Sequence, residues 1–308
     1  MPAKLSHYIL KSEGRHTVQV LLVACLYTVV VLWVSIHGFS YYRLPLDQRV
    51  FHPLHRELKP SGSMGIRLGL MGVASFLLIY LYAIRKRWKW LGRQGKTRNW
   101  LDVHVVFGVG APVLITFHCA FKMRGVAGIA YWIMIAVMLS GLIGRYIYSQ
   151  IPRRINAAEL SLKEMQELTD ELTLQLQSQS LVSAEELKPL LAVPSKADVE
   201  RLPVILALIQ MIGCDIKRPF LVARVRRRSS SAWGSLRTIG GLLPSREQKL
   251  ETVIGLAQRR SWVATKVSFL SKTHQVFHLW HVVHRPFSYS FAILAVIHIA
   301  VVVAMGYF

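Results

Sequence analysis

The chain has 308 residues, of which 53% are hydrophobic and 18% are charged, and its formal net charge is +22 at pH 7. This hydrophobic share is high for a water-soluble globular protein. Its three cysteines, Cys25, Cys119 and Cys214, are isolated in the sequence. Their isolation argues against a disulfide framework, a thiolate metal site and covalent attachment of a c-type haem.

Apolar residues are concentrated in five windows, each about 18 residues or longer. The windows cover residues 18–39, 66–84, 101–121, 126–148 and 286–305. A helix of this length crosses the roughly 30 Å hydrocarbon core of a bilayer at about 1.5 Å per residue. The first window is too long for a signal peptide and lacks a cleavage site, so we interpret it as an uncleaved anchor. We therefore expect an all-α integral membrane protein with about five transmembrane helices.

Basic residues adjoin particular windows. Residues 85–98 and 223–237 contain runs of lysine and arginine, whereas the loop between the third and fourth windows has only Lys122 and Arg124. The positive-inside rule then places the N-terminus, the 85–98 loop and residues 149–276 in the cytoplasm, and the C-terminus on the other side. This topology and anionic lipid account for the basic charge, with docking of an acidic soluble partner as the alternative. We expect no nucleic-acid binding.

Residues 149–276 are interpreted as a cytoplasmic helical insertion. Two Ser-x-x-Glu capping boxes, at 161–164 and 183–186, predict a helical hairpin that lies on the membrane face. The apolar stretch 203–213 is too short to span a bilayer, so we expect it to pack at the interface or beneath the insertion. The predicted domains are 1–148 (transmembrane helices one to four), 149–276 (the insertion) and 277–308 (transmembrane helix five).

Two pairs of histidines lie within the third and fifth windows. His104 and His118 are fourteen residues apart, and so are His284 and His298. Fourteen residues at about 100° each come within about 40° of whole turns, so each pair lies on one helix face, about 21 Å apart along the axis. One window separates the two helices, so they are expected to run parallel. His104 and His284 then share the cytoplasmic depth, and His118 and His298 share the other.

Small residues dominate the faces between these histidines, as a flat macrocycle held between two helices would require. The faces read His104, Gly108, Ala111, Ile115, His118 and His284, Ser288, Phe291, Ala295, His298. Four imidazoles paired at two depths suit two six-coordinate haem irons, whereas zinc prefers four clustered ligands. We predict two non-covalent haems b with the four histidines as axial ligands and Gly108, Ala111, Ser288 and Ala295 beside the rings.

Four basic residues are candidate partners of the haem propionates, chosen only by their expected depth in the membrane. They are Arg98 and Arg285 on the cytoplasmic side, and Lys122 and Arg124 on the other.

The remaining histidines carry weaker signals. His281 is the alternative to His284 as a haem ligand, because a helix break at Pro286 would change which residues share a face. In a continuous helix His281 and His298 lie about 260° apart around the axis, which favours His284. His274 and His278 lie near the membrane face. At the opposite surface, His37, His52 and His55 are interpreted as surface residues, with a third haem or a quinone site as the alternatives.

The sequence resembles bacterial di-haem transmembrane cytochromes b. The resemblance rests on the two H-x13-H pairs and on three stretches, residues 58–72, 97–122 and 278–287. This group includes the cytochrome b/b6 type and the transmembrane domains of ferric reductases and NADPH oxidases. The resemblance implies a subunit of the bacterial inner membrane that exchanges electrons with an iron–sulfur, flavin or c-type cytochrome protein, with quinone as a further candidate. Ferric reductases and NADPH oxidases carry a C-terminal flavin and nicotinamide domain, whereas this chain ends soon after the fifth window, so we expect no direct oxidation of NADPH. The Pro-Glu-Trp-Tyr sequence of the quinone pocket in the cytochrome bc complex is absent, so the sequence does not establish a quinone site.

The leading interpretation is a di-haem b-type subunit of an oxidoreductase complex that carries electrons across the membrane. A transporter, or a proton or metal pathway that uses intramembrane histidines, is the alternative. Such a pathway would be expected to carry more acidic residues near the spans than Asp102 and a few others. A structural or assembly subunit with incidental histidines is a third class.

Overall fold

The computed structural model of the chain describes residues 2–85, 87–151, 157–177, 183–229, 241, 243–244 and 247–306. Within these ranges every regular element is a helix, and no strand is present. The predicted all-α class is therefore confirmed.

Twelve α-helices and one short 3-10 turn, Arg49–Phe51, make up the described chain. The helices are α1 (Pro2–His37), α2 (Phe39–Tyr42), α3 (His55–Leu58), α4 (Ser63–Arg85), α5 (Lys89–Gly92), α6 (Thr97–His118), α7 (Gly125–Gln150), α8 (Ala157–Gln177), α9 (Ala184–Leu191), α10 (Lys196–Arg201), α11 (Val204–Ser229) and α12 (Gln248–Ala304).

Five helical stretches are long and apolar enough to cross a membrane, and each overlaps one predicted window. They are Gly14–His37, His55–Arg85, Thr97–His118, Gly125–Gln150 and Gln248–Ala304. Large apolar side chains on their outer faces, among them Ile36, Ile129 and Val296, are more than half exposed. Apolar surface of this extent is costly in water and suits contact with lipid.

The chain divides into two compact units. The first contains Met1–Arg145 and Val282–Phe308, and the second contains Tyr146–His281. The sequence interpretation placed these divisions at 148/149 and 276/277. α12 is one helix that continues through Pro286, so the proline does not break the helix between His281 and His298.

In the first unit, α6 packs along α4 and against α1, because small residues allow the helices to approach closely. A Cβ added at Gly72 of α4 would lie 2.5 Å from Cδ1 of Ile115, and one added at Gly110 of α6 would lie 2.6 Å from the Tyr27 ring. Buried side chains from all three helices close the contact, namely Val34, Leu68, Leu114 and Phe117.

The second unit has its own apolar core, formed by α8, α9, α11 and α12. Its buried members are Leu172, Leu187, Leu190, Val222, Val225, Leu250, Val253, Ile254 and Ala257. A paired hydrogen bond from the Arg226 guanidinium to the Glu251 carboxylate, at 2.8 and 2.7 Å, joins α11 to α12 beside this core.

Two local predictions for the insertion have different outcomes. The capping box at Ser183 and Glu186 is confirmed, because a side-chain oxygen of each residue accepts a hydrogen bond from the backbone N–H of the other. The box at Ser161 and Glu164 is wrong, since α8 begins at Ala157 and Ser161 therefore lies inside the helix. Helix-favouring residues upstream of Ser161 extend the helix past the serine.

Most of the apolar stretch 203–213 forms the start of α11, and one face of it packs inside the second unit. Ala207 and Met211 are buried there against Phe269 of α12 and Val199 of α10. The basic run 223–237 is described only as far as residue 229, and its remainder lies outside the described residues.

Gly110→Ala is expected to destabilise the first unit. The new Cβ would lie 2.6 Å from Cε1 of Tyr27, whose hydroxyl is hydrogen-bonded to Ser75, so the ring has little freedom to move. Overpacking of this kind costs about 1–3 kcal/mol. Thermal unfolding in detergent should therefore occur at a lower temperature than in the wild type.

Gly14→Ala is the matched control, because an added Cβ at this helical glycine meets nothing within 4 Å. It should gain helix propensity and unfold at the same or a higher temperature. Equal losses in the two variants would contradict the role assigned to the contact between α1 and α6.

Candidate functional site

Two imidazoles of α6 reach backbone carbonyls of α4. His118 Nδ1 lies 2.8 Å from the carbonyl oxygen of Gly65, and His104 Nδ1 lies 3.3 Å from that of Ile79. The histidines are fourteen residues apart, and so are the two acceptors. The antiparallel helices therefore repeat one contact at two levels, about 21 Å apart along the axis.

Glycines of α4 make room for the imidazole of His118. A Cβ added at Gly69 would lie 2.9 Å from His118 Nδ1 and 3.0 Å from its Cε1. Gly65, one turn earlier, supplies the carbonyl acceptor. Gly65 and Gly69 form a small-xxx-small pattern typical of closely packed membrane helices. The sequence interpretation quoted this stretch and did not assign it to the histidine site.

His284 is supported by α7. Its Nδ1 lies 2.8 Å from Oγ of Ser140, and the same hydroxyl donates its proton to the carbonyl of Val137 at 2.8 Å. The Ser140 hydroxyl therefore lies between the Val137 carbonyl and the His284 imidazole. A Cβ added at the neighbouring Gly141 would lie 3.6 Å from His284 Cε1, so the ring lies directly over this part of α7.

Backbone acceptors determine the tautomer of two histidines. The carbonyl oxygens that face Nδ1 of His104 and His118 can only accept hydrogen bonds, so each of these Nδ1 atoms carries the proton. The lone pair then resides on Nε2, which is the nitrogen available for ligating a metal ion. A fixed Nδ1–H···O contact is the usual support of a metal-ligating histidine, and it increases the basicity of Nε2.

Contacts between α4 and the first-unit part of α12 define the direction of α12. The Tyr80 hydroxyl donates to the carbonyl of Ser288 at 2.8 Å, and the Phe76 and Phe291 rings pack edge to face with centroids 4.8 Å apart. Residue numbers rise along α12 as they fall along α4, so the two segments are antiparallel. Because α6 is also antiparallel to α4, α6 and this part of α12 run in the same direction.

The second histidines of the two pairs belong to the same end of the bundle. Ten residues separate Ser288 from His298, so the register above places His298 level with about residue 70 of α4. His118 contacts the carbonyl of Gly65 and adjoins Gly69.

The first histidines belong to the other end of the bundle. The same register places His284 level with about residue 84 of α4, while His104 contacts the carbonyl of Ile79. The two levels differ by about five residues, or roughly 8 Å along the helix axis, and the same offset separates the level of His298 from the Gly65 carbonyl that His118 contacts.

The predicted lining residues do not all face one space. A Cβ added at Gly108 meets nothing within 4 Å, so this position borders open space. Ala111 is fully buried within the protein, whereas Ser288 and Ala295 are half-buried. On the α12 face, Phe291 is buried beside Phe76 of α4 and fills the level between the two histidines.

The four basic residues proposed as propionate partners are all exposed, namely Arg98, Arg285, Lys122 and Arg124. The buried cations near the histidine pairs are instead Arg49 and Arg85, at opposite ends of the α4–α6 pair. The sequence interpretation missed both, because an arginine beside an apolar window is usually exposed.

Each buried arginine is held by backbone carbonyls. Arg49 donates to the carbonyls of Leu44, Tyr42 and Ala120, at 2.8, 2.8 and 2.6 Å. Ala120 has a φ of 47°, a strained value for a residue with a Cβ, and this contact stabilises it.

Arg85 holds the loop before α6 in the same way. Its guanidinium donates to the carbonyls of Gly92 and Gly95, at 3.0 and 2.9 Å, and lies over the Trp100 ring. Its Nε is buried without a hydrogen-bond partner in the described part of the chain.

Asp102 joins three helices close to His104. Its carboxylate accepts a hydrogen bond from Arg145 of α7 at 2.6 Å and lies 3.5 Å from Nε2 of His16 in α1. The sequence interpretation noted Asp102 and overlooked His16, because nothing in a linear pattern links α1 to α6.

Four of the other histidines contact a named partner, and two further ones are exposed. His281 lies in the second unit, and its Nδ1 is 3.1 Å from the carbonyl of Phe277 in the same helix. His37 pairs with Glu57 at 3.4 Å. His52 and His55 pack against Tyr41, and the Nδ1 of His55 lies 3.1 Å from the Tyr41 hydroxyl. His274 and His278 are exposed.

Within the described residues, no group of three or more His, Cys, Asp or Glu side chains is placed to hold a metal ion. The site therefore consists of histidine pairs and not of a ligand cluster. No protein-family model, curated protein sequence or solved structure matches this chain.

Gly69→Ala is expected to displace the His118 imidazole from the Gly65 carbonyl, since the new Cβ would lie 2.9 Å from Nδ1. Loss of that acceptor removes the preference for the proton on Nδ1. Nitrogen NMR of histidine-labelled protein should then show the His118 ring leaving the Nδ1–H tautomer.

Gly72→Ala is the control for this experiment. Its added Cβ would meet only the flexible end of Ile115, so the His118 spectrum should stay as in the wild type. An unchanged His118 spectrum in Gly69→Ala would show that the glycine does not position the ring.

Proposed function

We propose that the protein is a di-haem b-type membrane subunit that carries electrons between the two faces of a bilayer. The observation that carries this proposal is the pair of fourteen-residue histidine spacings on helices that run in the same direction. Two of these imidazoles, His104 and His118, also have Nδ1 bonded to a backbone carbonyl, which leaves Nε2 as the ligating nitrogen.

The residues fit two bis-histidine haems. His118 and His298 would hold one haem, and His104 with His284 would hold the other. The open space beside Gly108 supports the second assignment, because a ring needs a position without a side chain. When bound, each haem iron supplies the site with a carrier of one electron at a time.

The chain's own groups would set the properties of this carrier. The carbonyl acceptors of Gly65 and Ile79 would orient His118 and His104 and make them stronger donors to iron, and the Ser140 hydroxyl would orient His284. Arg49 and Arg85 place one buried positive charge near each end of the α4–α6 pair, where they would favour the more negative, reduced state.

The two ligand levels, about 21 Å apart along the helix axis, would both lie within a hydrocarbon core roughly 30 Å thick. The basic segments support a cytoplasmic location for the N-terminus and the second unit. We infer an inner-membrane protein of bacterial type whose electron partner is an iron–sulfur, flavin or c-type cytochrome protein, or a quinone.

A proton or metal pathway is less well supported. Asp102 lies two residues from His104 in α6, and Arg145 already pairs with it at 2.6 Å. A carboxylate fixed in this way is suited to joining helices and poorly suited to passing cations. The visible spectrum of the purified protein distinguishes the two functions.

The purified protein should contain close to two haems b per chain in a pyridine haemochrome assay. His118→Ala and His298→Ala should each remove one and the same redox component, and His104→Ala and His284→Ala should each remove the other. Redox titration of the four variants in the same membranes provides the measurement, and His274→Ala, at an exposed position, is the control with both components intact.

One haem or none in the wild type would contradict the proposed function. Loss of the same component from His118→Ala and His284→Ala would contradict the assignment of the ligand pairs.

Gly108→Leu should lower the occupancy of the His104/His284 haem or shift its potential, because the leucine would occupy the open space at that level. The other haem should change much less. Haem content and potential are measured beside Gly255→Leu, a helical glycine in the second unit with equally open surroundings. A similar response of both variants would show that Gly108 does not border the haem.

A further inference from the structure

Helix α11 of the second unit has two unlike faces. The inner face packs into the unit and includes Ala207, Met211, Arg218, Val222 and Val225, all of them buried. The outer face carries large apolar side chains that no described part of the second unit covers. They are Ile205, Leu206, Ile209, Ile216 and Phe220, with exposures of 72, 52, 59, 59 and 64%.

The outer residues form a continuous stripe. At about 100° per residue, Ile205, Ile209, Ile216 and Phe220 lie within about 60° of one another around the helix. The helix has 26 residues, which corresponds to a length of about 39 Å. An exposed helix face of a water-soluble unit would instead carry polar residues at these positions, so the stripe indicates a surface that is covered when the protein functions.

Basic residues accompany the stripe. Lys217, Arg224, Arg227 and Arg228 are exposed on α11. The one acidic residue of α11, Asp215, already bonds Arg218 at 2.7 Å and the Tyr146 hydroxyl at 2.6 Å. The outer face of α11 is therefore apolar and positively charged, with its negative charge neutralised from within the unit.

A bilayer with anionic headgroups fits this combination. An apolar stripe flanked by lysine and arginine is the pattern of helices that lie in the plane of a membrane surface. Each basic side chain extends toward lipid phosphates while its stem covers apolar surface. The same chain contains five helices of membrane length, so a tethered bilayer would be present at high effective concentration.

We propose that the outer face of α11 binds the surface of an anionic phospholipid bilayer and lies in its plane, with Ile209 and Ile216 below the phosphates. This inference goes beyond the proposed electron transfer and does not depend on haem binding. It assigns to the second unit a membrane-contact surface in addition to its internal core.

Spin labelling of the full chain in lipid nanodiscs tests the proposal. A nitroxide is attached at Ile209→Cys in a background in which Cys25, Cys119 and Cys214 are replaced by serine. Leu174→Cys in α8 is the matched control, because Leu174 is 65% exposed in the same unit. In phosphatidylglycerol nanodiscs, the label at 209 should be more accessible to oxygen than to a water-soluble nickel chelate, and the label at 174 should show the reverse.

The charge contribution is tested with Arg227→Gln/Arg228→Gln in the same labelled chain. This variant should make the label at 209 several-fold more accessible to the nickel chelate, as should exchange of phosphatidylglycerol for phosphatidylcholine. Lys188→Gln, at an exposed lysine of α9, should have no effect.

Two results would overturn the proposal. Free access of the nickel chelate to position 209 would mean that the stripe faces water. Protection from both oxygen and the chelate would mean that a protein surface, either a partner or a second copy, covers it. Haem content is measured on the same samples, so failure of electron transfer and failure of lipid binding are distinguishable.

Discussion

The close contact between α4 and α6 determines the arrangement of the first unit. Gly65 and Gly69 on α4 bring its backbone near the imidazole of His118, and both His118 and His104 reach main-chain carbonyls of this helix. An imidazole without a partner would cost several kcal/mol in an apolar setting. The same contacts remove that cost and define the tautomer, which leaves Nε2 unprotonated.

The charged side chains Arg49, Arg85 and Asp102 of the first unit are all bonded to protein groups. Arg49 and Arg85 are satisfied by loop carbonyls, and Asp102 is satisfied by Arg145. A carbonyl carries only a partial negative charge, so both arginines keep most of their field. Each end of the α4–α6 pair therefore holds one buried positive charge.

The second unit has a different design. Its core is a conventional apolar cluster, reinforced by ion pairs such as Arg226 with Glu251 and by the Asp215 network with Tyr146 and Arg218. A water-soluble domain would place polar residues outside such a core. The apolar outer stripe of α11, which includes Ile205, Ile209, Ile216 and Phe220, departs from that pattern.

The sequence by itself determined the helical class, the five long apolar helices and the fourteen-residue histidine pairs, because period and length are local properties of a chain. It also identified the Ser183 capping box, whose partners are three residues apart. It misplaced the start of α8, because cap signals compete with helix propensity over a few residues.

Only the tertiary structure decided which groups support the histidines. Gly65 and Ile79 act through backbone carbonyls, which every residue has, so no side-chain pattern marks them. Ser140 is 144 residues from His284, and His16 is far from Asp102 in the chain. These contacts depend on which helix faces meet, and that is fixed by the packing of small residues between helices and not by any local period.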